Sequence, residues 1–230
     1  MYEFAYLSGV LIFFIPWLIL FLWRKDIRKE MLLMGLLFSI ASPIGGYLWY
    51  TVDWWRPETI TSTRIGIEDV LLGFSNGGII AVVYEVVFRK KLKDKKEVLD
   101  PKSLKKISFI MLLTFLIMVF GFSVLGLHSF YANMIGLLIP SLMILYKRND
   151  LIRNAIFTGI LTVVLSIPVY LIMELIFPGS IVHNWYIEKL SGILFLGIPI
   201  EDLIWYFFAG AWGGPLYEYC RNLKLKNIKN

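Results

Sequence analysis

Residues 65–85, IGIEDVLLGFSNGGIIAVVYE, align without a gap with residues 198–218, IPIEDLIWYFFAGAWGGPLYE. Both copies are apolar, and both carry a glutamate followed by an aspartate near their start. At a constant offset of 133, Ile65, Ile67, Glu68, Asp69, Phe74, Tyr84 and Glu85 recur as Ile198, Ile200, Glu201, Asp202, Phe207, Tyr217 and Glu218. The chain is therefore predicted to contain an internal duplication.

The composition of the chain indicates an integral membrane protein. Hydrophobic residues make up 58% of the 230 positions and the mean hydropathy is +0.70, whereas a soluble domain has roughly 45–50% apolar residues. A helix needs about 20 mostly apolar residues to cross a bilayer. Such stretches lie at 4–23, 31–51, 65–88, 107–127, 129–146, 154–177 and 190–220. We predict an all-α integral membrane protein with about seven transmembrane helices, a multi-pass protein of the cell membrane.

The duplication extends upstream of the acidic stretch. Pro16 and Arg24 match Pro140 and Arg148 at an offset of 124. Spans one to three therefore correspond to spans five to seven, and span four is a linking helix. Because four spans separate equivalent helices, both copies have the same orientation and the duplication is predicted to be parallel. The predicted domains are a first three-helix repeat at 1–95, a loop and linking helix at 96–127, and a second repeat at 128–230.

The basic residues predict the orientation of the chain. Of the 23 Lys and Arg residues, 20 lie in the segments 24–29, 89–106, 147–153 and 221–229, which all fall on one side of the predicted spans. The positive-inside rule places that side in the cytoplasm and the N-terminus outside. The formal charge of +6 is thus assigned to loops and membrane lipid, and no nucleic-acid partner is predicted. The segment 89–106 is predicted to be a charged loop without a fold of its own.

The acid pairs Glu68-Asp69 and Glu201-Asp202 are the predicted catalytic residues. Charged side chains within a membrane cost roughly 2.5–3.5 kcal/mol each on insertion scales, so adjacent acids that occur twice need a reason. The alternative is that they only complement the positive ends of their helices at the outer interface. An apolar stretch that starts near Leu190 places Glu201 deep in the last span, and Pro199 favours a kink or break beside it.

Three aromatic residues follow Glu201 on one predicted helix face. Trp205, Phe208 and Trp212 lie at i+4, i+7 and i+11 from Glu201. A carboxyl among such rings would stay protonated and could act as a general acid, and the rings could stabilise a carbocation. They are the predicted substrate-binding residues, although for any single ring packing against neighbouring helices or lipid is the simpler explanation. Glu174 is added to this set because it lies near the outer end of span six, where it either faces the same cavity or extends to the interface.

The Pro199-Ile200-Glu201-Asp202 stretch matches the Pro-x-Glu-(Glu/Asp) motif of the membrane lycopene cyclase domain family, which the chain resembles. The first copy, Gly66-Ile67-Glu68-Asp69, keeps both acids but lacks the proline. Two like three-helix domains with a linking helix are similar to the tandem form of that family. The resemblance implies a hydrophobic polyene substrate that enters from the bilayer, and no flavin, nicotinamide or other cofactor.

The resemblance also implies a reaction, the acid-initiated ring closure of a linear carotenoid end, such as that of lycopene, without net redox change. Glu201 would donate the proton, and Asp202 or the Glu68-Asp69 pair would act as base or electrostatic stabiliser. No histidine or cysteine set has the spacing of a metal site, so no metal is predicted.

Other functions remain alternatives. A 3+1+3 parallel repeat is also similar to the SWEET sugar carriers, so a small-molecule transporter is the main alternative, although the Pro-Gln dipeptides of those carriers are missing here. A non-catalytic membrane scaffold also stays open. The sequence leaves the oligomeric state open as well, and a homo-oligomer is one option.

Overall fold

The computed structural model describes residues 2–93 and 100–228, and these residues are mostly helical. Within them, six helical segments are long and apolar enough to cross a membrane: Ala5–Trp23, Lys25–Asp53, Ile67–Val87, Pro101–Val124, Ser129–Lys147 and Asn149–Ile176. This architecture agrees with the prediction of an all-α membrane protein. The count of seven crossings and the orientation of the termini remain predictions.

The regular elements of the described residues are as follows. The α-helices are α1 (Ala5–Trp23), α2 (Arg28–Gly45), α3 (Ile67–Val87), α4 (Pro101–Val119), α5 (Ser129–Lys147), α6 (Ile152–Ile176), α7 (Ile200–Gly213) and α8 (Leu216–Arg221). The strands are β1 (Lys90–Lys93), β2 (Leu194–Phe195), β3 (Ile198–Pro199) and β4 (Lys224–Asn227). Single π-helical turns extend α2 over Gly46–Tyr50 and α4 over Phe120–Val124. Shorter helical turns lie at Lys25–Ile27, Thr51–Asp53, Asn149–Leu151, Ser180–Asn184 and Ile187–Lys189.

The last predicted span, 190–220, differs from the prediction. Its first ten residues contain the short β2–β3 hairpin, and the helix begins at Ile200. The prediction of one long helical stretch from Leu190, with Glu201 deep inside it, is therefore wrong, and Glu201 lies in the first turn of α7. Pro199 has no backbone N–H and a fixed φ, so it precedes the helix and does not kink it. The 14 residues of α7 rise about 21 Å, less than the ~30 Å hydrocarbon core.

The two halves repeat the same close helix packing. Against α3, a Cβ on Gly35 of α2 would lie 2.9 Å from the carbonyl oxygen of Phe74. Against α7, a Cβ on Gly159 of α6 would lie 2.7 Å from the carbonyl oxygen of Phe207. Only glycine allows these backbones to approach so closely, as small residues commonly do between membrane helices. The glycines differ by the offset of 124 and the phenylalanines by 133, so the duplication is visible in the packing. The exact domain limits remain a prediction.

The segment 89–106 is not a structureless loop. Lys90–Lys93 forms β1, which pairs antiparallel with β4 after the last helix, and α4 already begins at Pro101. Asp100 caps α4 by accepting a hydrogen bond from the Ser103 N–H at 2.8 Å, and such bonds hold the pKa of this carboxyl below its ordinary value. The prediction was wrong because charge alone does not prevent strand pairing. Residues 94–99, which include two of the predicted basic residues, lie outside the described part.

Candidate active site

A cavity of about 220 Å³ lies in the middle of the helix bundle, between the two halves. Its wall is mostly apolar and aromatic, with side chains from helices α1 to α7 and from the turns after α2: Phe13, Trp49, Tyr50, Trp205, Tyr206 and Trp212. Among the described residues that line it, the charged ones are Asp69 and Asp202, one from each copy of the repeat. The cavity is therefore built by both halves together.

Asp202 is 5% exposed, and both of its carboxylate oxygens accept hydrogen bonds. The Trp54 Nε1–H donates to Oδ1 at 2.7 Å, and the Tyr170 hydroxyl donates to Oδ2 at 2.7 Å. These donors come from the turn after α2 and from α6, so two elements outside α7 fix the orientation of the carboxyl. A buried carboxyl held in this way is positioned for chemistry at the cavity wall.

Asp69 has a corresponding arrangement in the first copy, and it is 4% exposed. The Tyr6 hydroxyl donates to Oδ1 at 3.1 Å, and the Gly66 N–H donates to Oδ2 at 2.8 Å. The second bond caps the N-terminus of α3. Each cavity aspartate thus accepts a hydrogen bond from one tyrosine: Asp69 from Tyr6 of α1, and Asp202 from Tyr170 of α6.

The two glutamates point away from the cavity. Glu68 Oε1 accepts a hydrogen bond from the Ile60 N–H at 2.7 Å, and Glu201 Oε1 accepts one from the Ser191 N–H at 2.7 Å. Both side chains are buried, and each fastens the loop that precedes its helix. Adjacent residues on a helix are about 100° apart, so the two members of each acid pair face different surroundings. The aspartates reach the cavity and the glutamates hold the loops.

The predicted aromatic face is divided between two places. Trp205 and Trp212 line the cavity on the same side of α7 as Asp202. Phe208 instead lines a separate, shallow groove beside the β2–β3 hairpin, together with Phe195. The face of α7 that meets the cavity therefore runs through Asp202 and not through Glu201.

Glu174 is also outside the cavity lining. Its carboxylate accepts hydrogen bonds from the Gly179 N–H at 2.5 Å, the Ser180 hydroxyl at 3.1 Å and the Ile181 N–H at 3.1 Å. These contacts satisfy backbone donors at the start of the short helix Ser180–Asn184. Glu174 thus neither faces the cavity nor extends freely into solvent.

The end of the cavity nearest the acid pairs is lined by three tryptophans of two loops, Trp54, Trp55 and Trp185. Trp55 and Trp185 form a single antiparallel bridge, and their rings stack with centroids 5.4 Å apart. The Tyr186 N–H donates to the Trp54 carbonyl at 2.9 Å, which ties the loops together. Trp54 is 2% exposed and Trp185 is 8% exposed, so these rings pack inside the protein.

Sequence reasoning missed the residues that support the aspartates, namely Tyr6, Tyr170 and Trp54. A signal was present, because a tyrosine hydroxyl within an apolar span needs a hydrogen-bond partner. The sequence did not show which acid each donor would meet, since Trp54 and Asp202 are 148 residues apart.

A second acidic cluster lies at the opposite end of the bundle. One carboxylate oxygen each of Glu30, Glu85 and Glu218 lies within 4.8 Å of the other two, and all three residues are buried. Asn154 donates to Glu218 Oε1 at 2.6 Å. Glu85 is 16 residues after Asp69 on α3, about 24 Å along the helix, so this cluster is not part of the cavity. Within the described residues, it is the carboxylate set whose spacing would suit a hard cation.

Taken together, a duplicated bundle of helices long and apolar enough to cross a membrane, with an acid from each copy lining one aromatic-walled cavity, defines a helical membrane protein with a shared internal site. The sequence matches the family described as lycopene cyclase over residues 3–87 and 128–220. The chain belongs to this lycopene cyclase family. Searches of curated proteins and of solved structures gave no match.

Proposed function

We propose that this protein is a carotenoid cyclase that closes a ring at the end of a linear polyene within the membrane, without net redox change. Family membership supports a carotenoid cyclase in general. The observation that carries the specific proposal is the presence of two buried aspartates, Asp69 and Asp202, in one aromatic-lined cavity. We infer no cofactor for this reaction, because ring closure only moves a proton and a pair of π electrons.

The reaction needs one proton donor and one acceptor. A carboxylic acid adds its proton to the terminal double bond, an internal double bond attacks the resulting cation, and a carboxylate removes a proton to leave a cyclic alkene. The number of atoms and electrons in the polyene is unchanged. The position of Asp202 on the cavity wall supports it, in preference to Glu201, as a group that contacts the substrate, and Asp69 is its counterpart from the first copy. In this proposal Glu68 and Glu201 position the neighbouring aspartates.

The cavity wall suits the cationic intermediate. Trp205, Trp212 and Trp49 present indole rings to the cavity, and the faces of such rings attract cations by ~0.5–2 kcal/mol each. In this proposal the loop tryptophans Trp54, Trp55 and Trp185 shield the cation from water that would otherwise trap it. Phe208 and Glu174, which lie outside the cavity lining, are assigned no direct contact with the reacting end.

The size of the cavity limits what can enter. An engineered cavity of about 150 Å³ binds benzene. The present cavity, at about 220 Å³, has room for one ring-sized end of a polyene, and the rest of the molecule would extend between the helices toward lipid.

The chain is further proposed to cross the cell membrane seven times, with α7 and α8 as the last crossing and the N-terminus outside. The distribution of the basic segments supports this topology. The end of the cavity that Trp54, Trp55 and Trp185 line would then lie toward the outer leaflet.

Expression in cells that accumulate lycopene, followed by chromatography of the pigments, tests the proposal. The wild-type chain should yield cyclised carotenoid, and Asp202→Asn should reduce the yield at least 100-fold, because a positioned acid or base contributes about 10²–10⁴ to a rate. Asp150→Asn, a change on a half-exposed side chain far from the cavity, is the matched control and should retain activity. Absence of ring products from wild type with lycopene and related linear carotenoids would overturn the cyclase proposal and leave the transporter alternative.

A further inference from the structure

The β1–β4 ribbon places lysines of the two repeats opposite each other. In its antiparallel register Lys91 faces Lys226 and Lys93 faces Lys224, while Leu92 pairs with Leu225 between them. Successive residues of a strand point to opposite faces. The four lysines therefore share one face of the ribbon and the two leucines share the other.

The two faces have different surroundings. Leu92 is buried and belongs to the main hydrophobic core, and Leu225 packs against that core. The four lysines are exposed. Like charges directly opposite in a strand pair are destabilising. Lys224 is near Asp150, but Asp150 is already paired with Arg148 at 2.7 Å. For Lys91 and Lys226 the described part of the chain shows no ion pair.

The ribbon is held firmly to the bundle despite this repulsion. Arg24 Nη2 donates to the Lys90 carbonyl at 3.0 Å, and Arg148 Nη2 donates to the Leu223 carbonyl at 2.8 Å. These two contacts are equivalent under the internal repeat. The backbone that carries the lysine face is therefore anchored to the helix bundle at both strands.

The ribbon also lies close to the membrane boundary. β1 starts three residues after the end of the membrane-spanning helix α3 at Val87, and β4 starts three residues after α8 ends at Arg221. The headgroup region of a bilayer extends several ångströms beyond the hydrocarbon core. Headgroup phosphates are thus within reach of the lysine face.

We propose that the lysine face of the β1–β4 ribbon, and in particular its Lys91–Lys226 pair, is a binding site for the headgroups of anionic phospholipids. A phosphate between opposed ammonium groups removes their mutual repulsion. Because β1 follows the first repeat and β4 follows the second, the bound lipid also stabilises the contact between the two repeats. This site is independent of the proposed cyclase chemistry.

The purified full chain, reconstituted in vesicles of phosphatidylcholine with 0–40% phosphatidylglycerol, tests the site. Retention of phosphatidylglycerol by the extracted protein, measured by native mass spectrometry, should fall about 30-fold in Lys91→Gln/Lys226→Gln, as expected for two lysines at about 1 kcal/mol each. Lys91→Arg/Lys226→Arg keeps both charges and should restore retention. The thermal unfolding midpoint of wild type should rise with phosphatidylglycerol, and that of the glutamine variant should not.

Two further arms separate this site from general charge effects. Lys102→Gln/Lys105→Gln removes the same charge from the exposed start of α4 and should leave retention within twofold of wild type. If this control lost as much phosphatidylglycerol retention as the ribbon variant, lipid binding would depend on the net charge of the protein and the ribbon site would be overturned. Inorganic phosphate at millimolar concentration should not displace the lipid. Displacement by phosphate alone would overturn the assignment to phospholipid, and unchanged retention in the Lys91→Gln/Lys226→Gln variant would overturn the site itself.

Discussion

At the scale of single residues, the main result is the division of labour within each acid pair. Glu201 accepts from the Ser191 N–H, whereas Asp202 lines the cavity and accepts from Trp54 and Tyr170. The same division holds for Glu68 and Asp69. A dipeptide that looks like one unit in the sequence therefore has one member that bonds the preceding loop and one member that lines the cavity.

This division predicts different effects for neighbouring substitutions. Glu201→Gln should retain cyclisation within about tenfold of wild type, because the glutamine carbonyl can still accept the hydrogen bond from the Ser191 N–H. Asp202→Asn should lose at least 100-fold, since it removes the transferable proton or the charge. Pigment yield normalised to the amount of membrane-inserted protein is the measurement. The opposite order of the two losses would show that Glu201 is the reacting acid.

At the scale of elements, glycines that face backbone carbonyls set the distance between packed helices. Gly159 meets the carbonyl of Phe207 on α7, the helix that carries the acid pair of the second copy. Gly9 of α1 instead faces the sulfur of Met173, a side chain that can move. The position of Asp202 thus depends on the packing of α6 against α7.

Gly159→Ala should therefore destabilise the protein, while Gly9→Ala should be nearly neutral. The new Cβ at position 159 would lie 2.7 Å from a backbone oxygen, and overpacking of this kind costs about 1–3 kcal/mol. Gly9→Ala would place its Cβ 3.1 Å from Met173 Sδ. Thermal unfolding in detergent, followed by tryptophan fluorescence, compares the two variants. Equal midpoints would contradict the role of close packing at Gly159.

At the scale of the whole molecule, both repeats contribute to one cavity. Asp69 and Asp202 come from α3 and α7 yet line the same space. The two aspartates therefore share one cavity, but their surroundings differ because Tyr6 and Tyr170 come from helices that are not equivalent under the repeat.

If the two aspartates act in one shared cavity, both of them are needed for the closure of every ring. Asp69→Asn and Asp202→Asn should each abolish both one-ring and two-ring products, and the double variant should be no worse than either single variant. Chromatography of pigments from cells that express each variant distinguishes the products. A single variant that still makes one-ring carotenoid at half of the wild-type yield would show that each copy acts alone.

The membrane class, the duplication and the acid pairs could be predicted without a structure, because they depend on local composition and on identity at a fixed offset. Hydrophobicity over about 20 residues and the repeated Glu-Asp pair need no knowledge of contacts. The start of α7 was misplaced, because apolar residues 190–199 suit a hairpin as well as a helix.

Which acid of each pair faces the cavity, and which donors hold it, depends on contacts between distant segments of the chain. The facing of α7 depends on the Gly159 contact with α6, and the partners of Asp202 come from Trp54 and Tyr170, far away in the chain. The pairing of β1 with β4 likewise joins segments more than 130 residues apart. Such contacts are set by the packing of the whole bundle, and local sequence patterns do not predict them.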